Sequence, residues 1–366
     1  MKKLLSTLTV ALLLATTNAV GQDRKFSVYS IGFYNLENLF DTCHDEGKND
    51  YEYLPDGRNK WTGMKYNHKL RNMARVLAEM GTDKLPYGCA AIGVSEVENA
   101  KCLADLCNQE PLKKRNIQFC HIEGPDHRGV DCGLLYNPSM FKVRNVKLVP
   151  YVYEKPEDIK NDRATRGFLV VSGTLAGEHV TIIVNHLPSR GAVSYYRELG
   201  GRQLRAVKDS QLRDDPNVKR CIMGDMNDDP KDPSMSQALG ARRYINQVED
   251  GGLYNPFWEI HASGTGTLMY DGQWNLFDQI IVSKNLICSE DCDDYSTLKL
   301  ATFKKKSKQK KMLKSLQPQI FRRDYLMQRE GKYKGGTLRT HAGGVWLDGY
   351  SDHLPTLVYL LKEQRR

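Results

Sequence analysis

The chain has 366 residues, 40% of them hydrophobic and 27% charged, and a formal net charge of +9. These proportions are those of a globular protein, large enough for one big domain or two smaller ones. Beyond the first 21 residues no apolar run approaches the ~20 residues needed to cross a bilayer, which excludes a helical membrane-spanning protein.

Residues 1–21 read as a secretory signal peptide. Lys2 and Lys3 supply the positive start, Leu4 to Ala15 the apolar stretch, and Ala19-Val20-Gly21 before Gln22 a cleavage site. The stretch is too short for a membrane anchor, and no Cys stands at the cut to take a lipid. The mature chain, 22–366, is expected to be exported to the periplasm or the medium as a monomer without stable membrane insertion. Its charge falls to +7 once Lys2 and Lys3 leave the +9, a modest positive balance that suits an anionic substrate without naming one.

Phe26 to Tyr34 is β-rich and runs into Asn35-Leu36-Glu37-Asn38; residues 42–62 are polar and turn-rich. Asn67 to Met80 spaces Leu70, Met73, Leu77 and Met80 as a helix does. A short apolar strand, Cys89 to Val94, stops at Ser95-Glu96, and Ala100 to Cys107 reads as a helix. Strands follow at Ile117–Ile122, Asp131–Tyr136 and Lys142–Val152, then a charged turn over 153–163. Gly167–Leu175 and His179–Val184 form a hairpin about Ala176-Gly177-Glu178. A helix runs from near Ser194 to Leu212, and strands at Lys219–Met223, Phe277–Val282 and Leu357–Leu361 complete the set. The pattern gives one mixed α/β domain with a two-sheet core, helices outside and no linker. Nine cysteines lack the spacing of a disulfide scaffold or a zinc site. Cys89, Cys120, Cys132 and Cys221 fall in apolar runs, while Cys102 with Cys107, or Cys288 with Cys292, could pair in an oxidising compartment.

The most informative stretch is Cys221-Ile222-Met223-Gly224-Asp225-Met226-Asn227. A buried strand ends at a glycine, and an acid and an amide then stand two apart, where residues of an extended segment point the same way. An Asx-rich turn is the competing reading. Five further strand ends carry similar residues: Asn35-x-Glu37-Asn38; Glu96, with Glu98 and with Asn99 as a helix cap; Asn185-His186 with Arg190; Asp278 inside the apolar Leu276–Ile280; and Ser351-Asp352-His353. A buried Asp278 needs a partner, and a histidine is the obvious one. Arg190 suits planar oxyanion recognition. No Gly-x-Ser-x-Gly turn or Gly-x4-Gly-Lys-Ser/Thr loop appears, which ranks acyl hydrolase and nucleotide-motor chemistry low.

This ordered set resembles the endonuclease/exonuclease/phosphatase superfamily, and Tyr34–Asp41 and Asn185–Arg190 look like an exported bacterial branch. The resemblance spans 27–361 and implies an α/β four-layer sandwich, two packed mixed β-sheets flanked by helices, that hydrolyses phosphoesters with Mg²⁺ or Mn²⁺. On the resemblance, Glu96 is the main metal ligand, with Asn35 and Asp352 assisting directly or through water. His353, oriented by Asp278, forms an acid–base pair. Asp225 positions or deprotonates the attacking water, the choice of base between Asp225 and His353 staying open. His186, Asn227, Asn185 and Arg190 hold the phosphoryl oxygens. The lysines between 304 and 314 stand in a segment, 284–348, expected to be an insertion beside the active site. They read either as a phosphate-tracking patch or as a solvated loop. A nuclease acting on DNA or RNA is the expected function; a phosphatase or phosphodiesterase on inositol-phosphate, lipid or other small phosphoesters is the alternative, and an inactive binding module ranks third. No exposed aromatic hairpin for membrane insertion is read.

Overall fold

Apolar side chains at alternate positions build two sheets that pack face to face. The computed structural model describes residues 24–160, 164–289, 292–331 and 333–364; the expected signal peptide lies outside them. In chain order the strands are β1 (Phe26–Leu39), β2 (Ala91–Val97), β3 (Gln118–His121), β4 (Asp131–Tyr136), β5 (Phe141–Val149), β6 (Phe168–Leu175), β7 (Glu178–His186) and β8 (Lys219–Asp225). There follow β9 (Ala241–Arg242), β10 (Leu253–Tyr254), β11 (Leu268–Tyr270), β12 (Gln273–Asn275), β13 (Asp278–Ser283), β14 (Lys299–Leu300), β15 (Gln319–Ile320), β16 (His341–Ala342), β17 (Val345–Trp346) and β18 (Thr356–Glu363). The first sheet has the order β14-β18-β1-β2-β4-β3, with β15 also on β18; the second has the order β5-β6-β7-β8-β13-β10-β9.

Each sheet centres on a parallel pair, β1 with β2 and β7 with β8, flanked by antiparallel neighbours, β18 and β4 in one and β6 and β13 in the other. This topology brings the C-terminal ends of the central strands and the starts of their neighbours to one edge. The inner faces bury Ile31, Phe33, Leu134, Leu169, Val171, Ile182, Val184, Cys221, Met223, Ile280 and Val358 in one core. Helices α1 (Gly63–Glu79) and α2 (Ala100–Cys107) cover the first sheet through Leu70, Met73, Leu77 and Leu103. Helix α3 (Ser194–Asp214) covers the second through Leu199 and Leu204. The result is the expected sandwich of two mixed sheets between helices. No described helix is long and apolar enough to cross a membrane.

Strand alternation decides which motif residues reach the cleft. Val184 faces the other sheet and Ile183 the helix layer, so His186 follows Val184 inward. Asn185 follows Ile183 outward, is fully buried, and donates through Nδ2 to the Met223 carbonyl at 2.8 Å. This corrects the expectation that Asn185 holds phosphate: it ties β7 to β8. Gly224 is required at the same place, because a Cβ there would sit 2.1 Å from the Asn185 carbonyl oxygen.

Other expectations are revised by geometry. β1 runs on to Leu39 because Glu37 and Asn38 adopt left-handed conformations and let Leu39 pair with Val97 past an irregularity. The expected turn at 153–163 contains a short helix, Pro156–Lys160. All nine cysteines are free. Five helical residues at about 100° each put Cys102 and Cys107 on different sides of α2, and the Cys288 thiol donates to the Cys292 carbonyl at 2.7 Å.

The lysine-rich segment does not border the cleft. Helix α4 (Lys310–Ser315) buries Leu313, with Leu316 just beyond it, against Phe26, Tyr359 and Leu361. Leu361 pairs with Val28, seven residues before Asn35, roughly 23 Å back along β1. Lys304 is itself buried, donating to the Cys292 carbonyl. The later part of the segment, from Leu326 to Tyr350, does reach the site. Asn185→Ala removes the buried link to the Met223 carbonyl and should lower stability by about 1–3 kcal/mol, measured by denaturant unfolding; an unchanged midpoint would mean that the side chain is not structural.

Candidate active site

Inner-face parity carries Asn35 beyond Phe33, His186 beyond Val184 and Asp225 beyond Met223, and puts Asp278 two residues before Ile280. Glu96 has the wrong parity, since Ile92 and Val94 face the helices. A left-handed turn at Glu96, φ 60°, with a register shift between Ser95 and Val97, turns its carboxylate back. Glu37 (50°), Asn38 (58°) and Asn227 (50°) share this conformation, which side chains other than glycine adopt at a cost and which clusters at functional sites.

Asp225 is the centre. Its Oδ1 accepts the Asn227 backbone N–H at 2.9 Å, an Asx turn, and its Oδ2 accepts Asn35 Nδ2 at 3.0 Å. Oδ2 also lies 3.6 Å from His186 Nε2 and 3.7 Å from His353 Nε2. Asn35 Nδ2 donates to Glu96 Oε1 at 3.2 Å, and Glu96 Oε2 accepts the Asn38 N–H at 3.0 Å. His353 Nδ1 is 2.7 Å from Asp278 Oδ2, so the expected pair forms. Ser351 supports it, donating to the Asn35 carbonyl at 2.7 Å and accepting the His353 N–H at 3.1 Å. Asn227 Nδ2 donates to the Leu187 carbonyl at 2.9 Å. Asn99 caps α2, accepting the Cys102 N–H at 3.0 Å.

Burial splits the titrating groups. It lifts Asp225 to about 7, with Asp278 and Glu96 adding and His353 opposing. Burial opposes a charged His353, but Asp278, Asp225 and Asp352 outweigh it and hold the imidazole well above its usual value. Burial, helped by Arg166 and Arg128, holds His186 well below. The two histidines beside Asp225 are thus shifted in opposite directions.

Two expected residues are placed differently. Asp352 does not join the Glu96 group: its Oδ1 is 3.8 Å from His353 Nε2 and its Oδ2 pairs with Arg339. Arg190 is engaged by Asp228 (3.4 Å), Asp229 (3.1 Å) and Asp232 (2.8 Å), donates to Asn275 Oδ1 at 3.0 Å, and lies over the Phe277 ring. The free phosphate-binding cation expected there is instead a brace between the loop after Asn227 and the β11–β12 hairpin. That hairpin bridges to His353 through Leu268 and exposes 74% of Tyr270 at its tip.

Sequence reasoning missed the support behind the cleft. Lys69, fully buried on α1, donates to Thr340 Oγ1 and the Tyr350 carbonyl, each at 2.5 Å, and lies 3.9 Å from Glu37 Oε2. Glu37 accepts the Thr340 N–H at 2.6 Å and lies 3.4 Å from Arg339 Nε. Lys69 sits at a helical core position, which was the one available signal. Arg166, also missed, donates to the His186 carbonyl at 3.0 Å and to Asp126 Oδ2 at 3.0 Å.

Two groups have the donors to hold a metal ion around the centre: Glu96, His186 and Asp225, and Asp225, Asp278 and His353. The first offers two carboxylates and an imidazole, with Asn35 Nδ2 donating to both carboxylates, a set that fits a divalent ion. With the site described, relatives can be compared. The chain matches the endonuclease/exonuclease/phosphatase family over residues 30–362. Among solved structures, an endonuclease/exonuclease/phosphatase family protein from Bacteroides thetaiotaomicron matches with a TM-score of 0.53 and 14% identity, over 93% of this chain and 97% of that one. A mannosyl-6-phosphatase of B. thetaiotaomicron gives 0.52 and 14%, over 91% and 99%. TDP2 of D. rerio, complexed with a single-strand DNA product, gives 0.50 and 14%, over 91% and 99%. No curated protein matches the chain by sequence. The structural likenesses show the fold, and the match over nearly the whole chain shows that it belongs to the endonuclease/exonuclease/phosphatase family.

Proposed function

We propose that this protein is an exported, Mg²⁺- or Mn²⁺-dependent hydrolase of small phosphoesters. The observation that carries the reading is the meeting of the Asn35–Glu96–Asp225 group with the Asp278–His353 pair at one sheet edge. Glu96 and Asp225 would hold the ion, with Asn35 Nδ2 positioning both carboxylates and Asp352 acting through water, and the ion when bound neutralises charge on phosphoryl oxygens. Asp278 fixes His353 Nδ1 and so directs Nε2 to the cleft, where it exchanges a proton with the ester. Asp225 Oδ2 orients the attacking water, and His186 Nε2 and the Asn227 amide face the phosphoryl oxygens. Export rests on the signal-like residues 1–21.

The nuclease reading favoured by the sequence rested on the lysine run, and that support weakens because the run packs at the far end of β1. The similar fold of TDP2 keeps nucleic-acid phosphodiesters among the substrates to be tested.

The test is turnover of 4-nitrophenyl phosphate, bis(4-nitrophenyl) phosphate, sugar phosphates, inositol phosphates, single-stranded DNA and plasmid DNA, with and without a chelator. A chelator should abolish activity and Mg²⁺ or Mn²⁺ restore it. Faster turnover of DNA than of every small ester would overturn the substrate class. His353→Ala and Asp225→Asn should each lower kcat by about 10²–10⁴ with the circular dichroism spectrum unchanged; near-normal turnover in either would remove that residue from the chemistry.

A further inference from the structure

The loop between β3 and β4 supplies a cation that the site otherwise lacks. Asp131 opens β4 opposite Val97, one residue beyond Glu96, so residues just before Asp131 stand over the Glu96 edge. The loop is firmly held. The Gly124 N–H donates to both Asp131 oxygens at 3.0 Å, and Lys48 Nζ donates to the carbonyls of Gly124 (3.0 Å) and Asp126 (3.1 Å).

From this loop Arg128 keeps 40% of its side chain exposed. Its ion-pair partner is Asp126 Oδ1, 3.9 Å from Nε. That carboxylate already accepts the Arg128 backbone N–H at 2.9 Å and pairs with buried Arg166 at 3.0 Å. The other cations about the cleft are consumed: Arg190 by three aspartates, Lys69 by Glu37, and Arg339 by Asp352 and Glu37. Arg128 nonetheless bears on the cleft. Arg166, which pairs with Asp126 at 3.0 Å, also donates to the His186 carbonyl at 3.0 Å, so Arg128 stands one carboxylate and one guanidinium from the His186 strand end.

A guanidinium on a tied loop, with spare donors, matches the paired oxygens of a phosphoryl group. We propose that Arg128 forms an anion subsite on the Glu96 side of the cleft that grips the non-bridging oxygens of the substrate's phosphoryl group. The subsite lies opposite the acid–base histidine: His353 leads into β18 and Arg128 into β4, which stand three strand spacings apart, roughly 14 Å. The inference rests on the phosphoesterase reading and names the group that recognises its anion.

The test is titration calorimetry of the protein with inorganic phosphate in the presence of Mg²⁺, comparing wild type, Arg128→Ala and Arg128→Lys. Loss of a charged two-pronged contact should raise Kd for phosphate about 10- to 100-fold in Arg128→Ala and by less in Arg128→Lys. On whichever 4-nitrophenyl ester the wild type turns over, kcat/KM should fall about 10- to 100-fold in Arg128→Ala and by less in Arg128→Lys. Thermal unfolding checks that the exposed substitution leaves the fold intact. A phosphate affinity in Arg128→Ala within about twofold of wild type overturns the subsite. If the wild type hydrolyses no phosphoester, the activity reading falls, while the phosphate titration still decides on Arg128.

Discussion

One carboxylate oxygen holds the site together. Asp225 Oδ2, from the second sheet, accepts Asn35 Nδ2, from the first, where the apolar core between the sheets gives out. A buried carboxylate is costly unless paired and hydrogen-bonded, and here the partners come from three places: the amide of β1, the imidazole that ends β7 and the imidazole before β18. Moving the sheets apart at this edge would leave a 2% exposed acid without its donors. The sandwich and the chemistry are therefore stabilised by the same contacts, and the fold cannot relax without altering the protonation of Asp225.

The strand ends use one device repeatedly. Asn35 Oδ1 accepts the Glu37 N–H, Asp225 Oδ1 accepts the Asn227 N–H, and Ser351 Oγ accepts the His353 N–H. In each case a side chain caps the backbone two residues on, closing a turn without an extra residue. Where that residue is Asp or Asn, a second polar atom remains to face the cleft. The Asx turn and the functional site, competing explanations of Gly224-Asp225-Met226-Asn227 at the level of sequence, are the same object.

Much of this was legible because strand alternation is strict. Met223 faces inward, so Asp225 does too, and the same step takes Phe33 to Asn35 and Val184 to His186. The alternation also shows why Asn185 was misread: it is next to His186 in sequence and on the other face in space. Glu96 was found for a reason that parity alone would have denied, since only its left-handed backbone returns it to the cleft. What the sequence hid was pairing over long separations. The Asp278–His353 bond spans 75 residues and the Thr340–Glu37 bond 303. The lysine run misled because a cluster of charge says nothing about which end of a strand it packs against; α4 is fixed by Leu313 and Leu316, not by its lysines.

The structure separates rigid chemistry from variable recognition. The proposed catalytic groups stand on strand ends whose positions are set by two sheets and one core. The walls around them are loops: 42–53, 122–130, the β11–β12 hairpin and 326–350. Yet the last of these is wired into the centre. Thr340 docks on Glu37, Glu37 is matched by buried Lys69, and Arg339 joins Glu37 to Asp352, the neighbour of His353. Burial and the nearby Asp352 raise Glu37 to about 7, with Lys69, the Thr340 N–H and Arg339 opposing, and burial lowers Lys69 to about 8, with Glu37 and Asp352 opposing. Residues 337–341 are thus tied through Arg339 to Asp352, whose Oδ1 lies 3.8 Å from His353 Nε2, so this loop and the histidine share one chain of charged contacts.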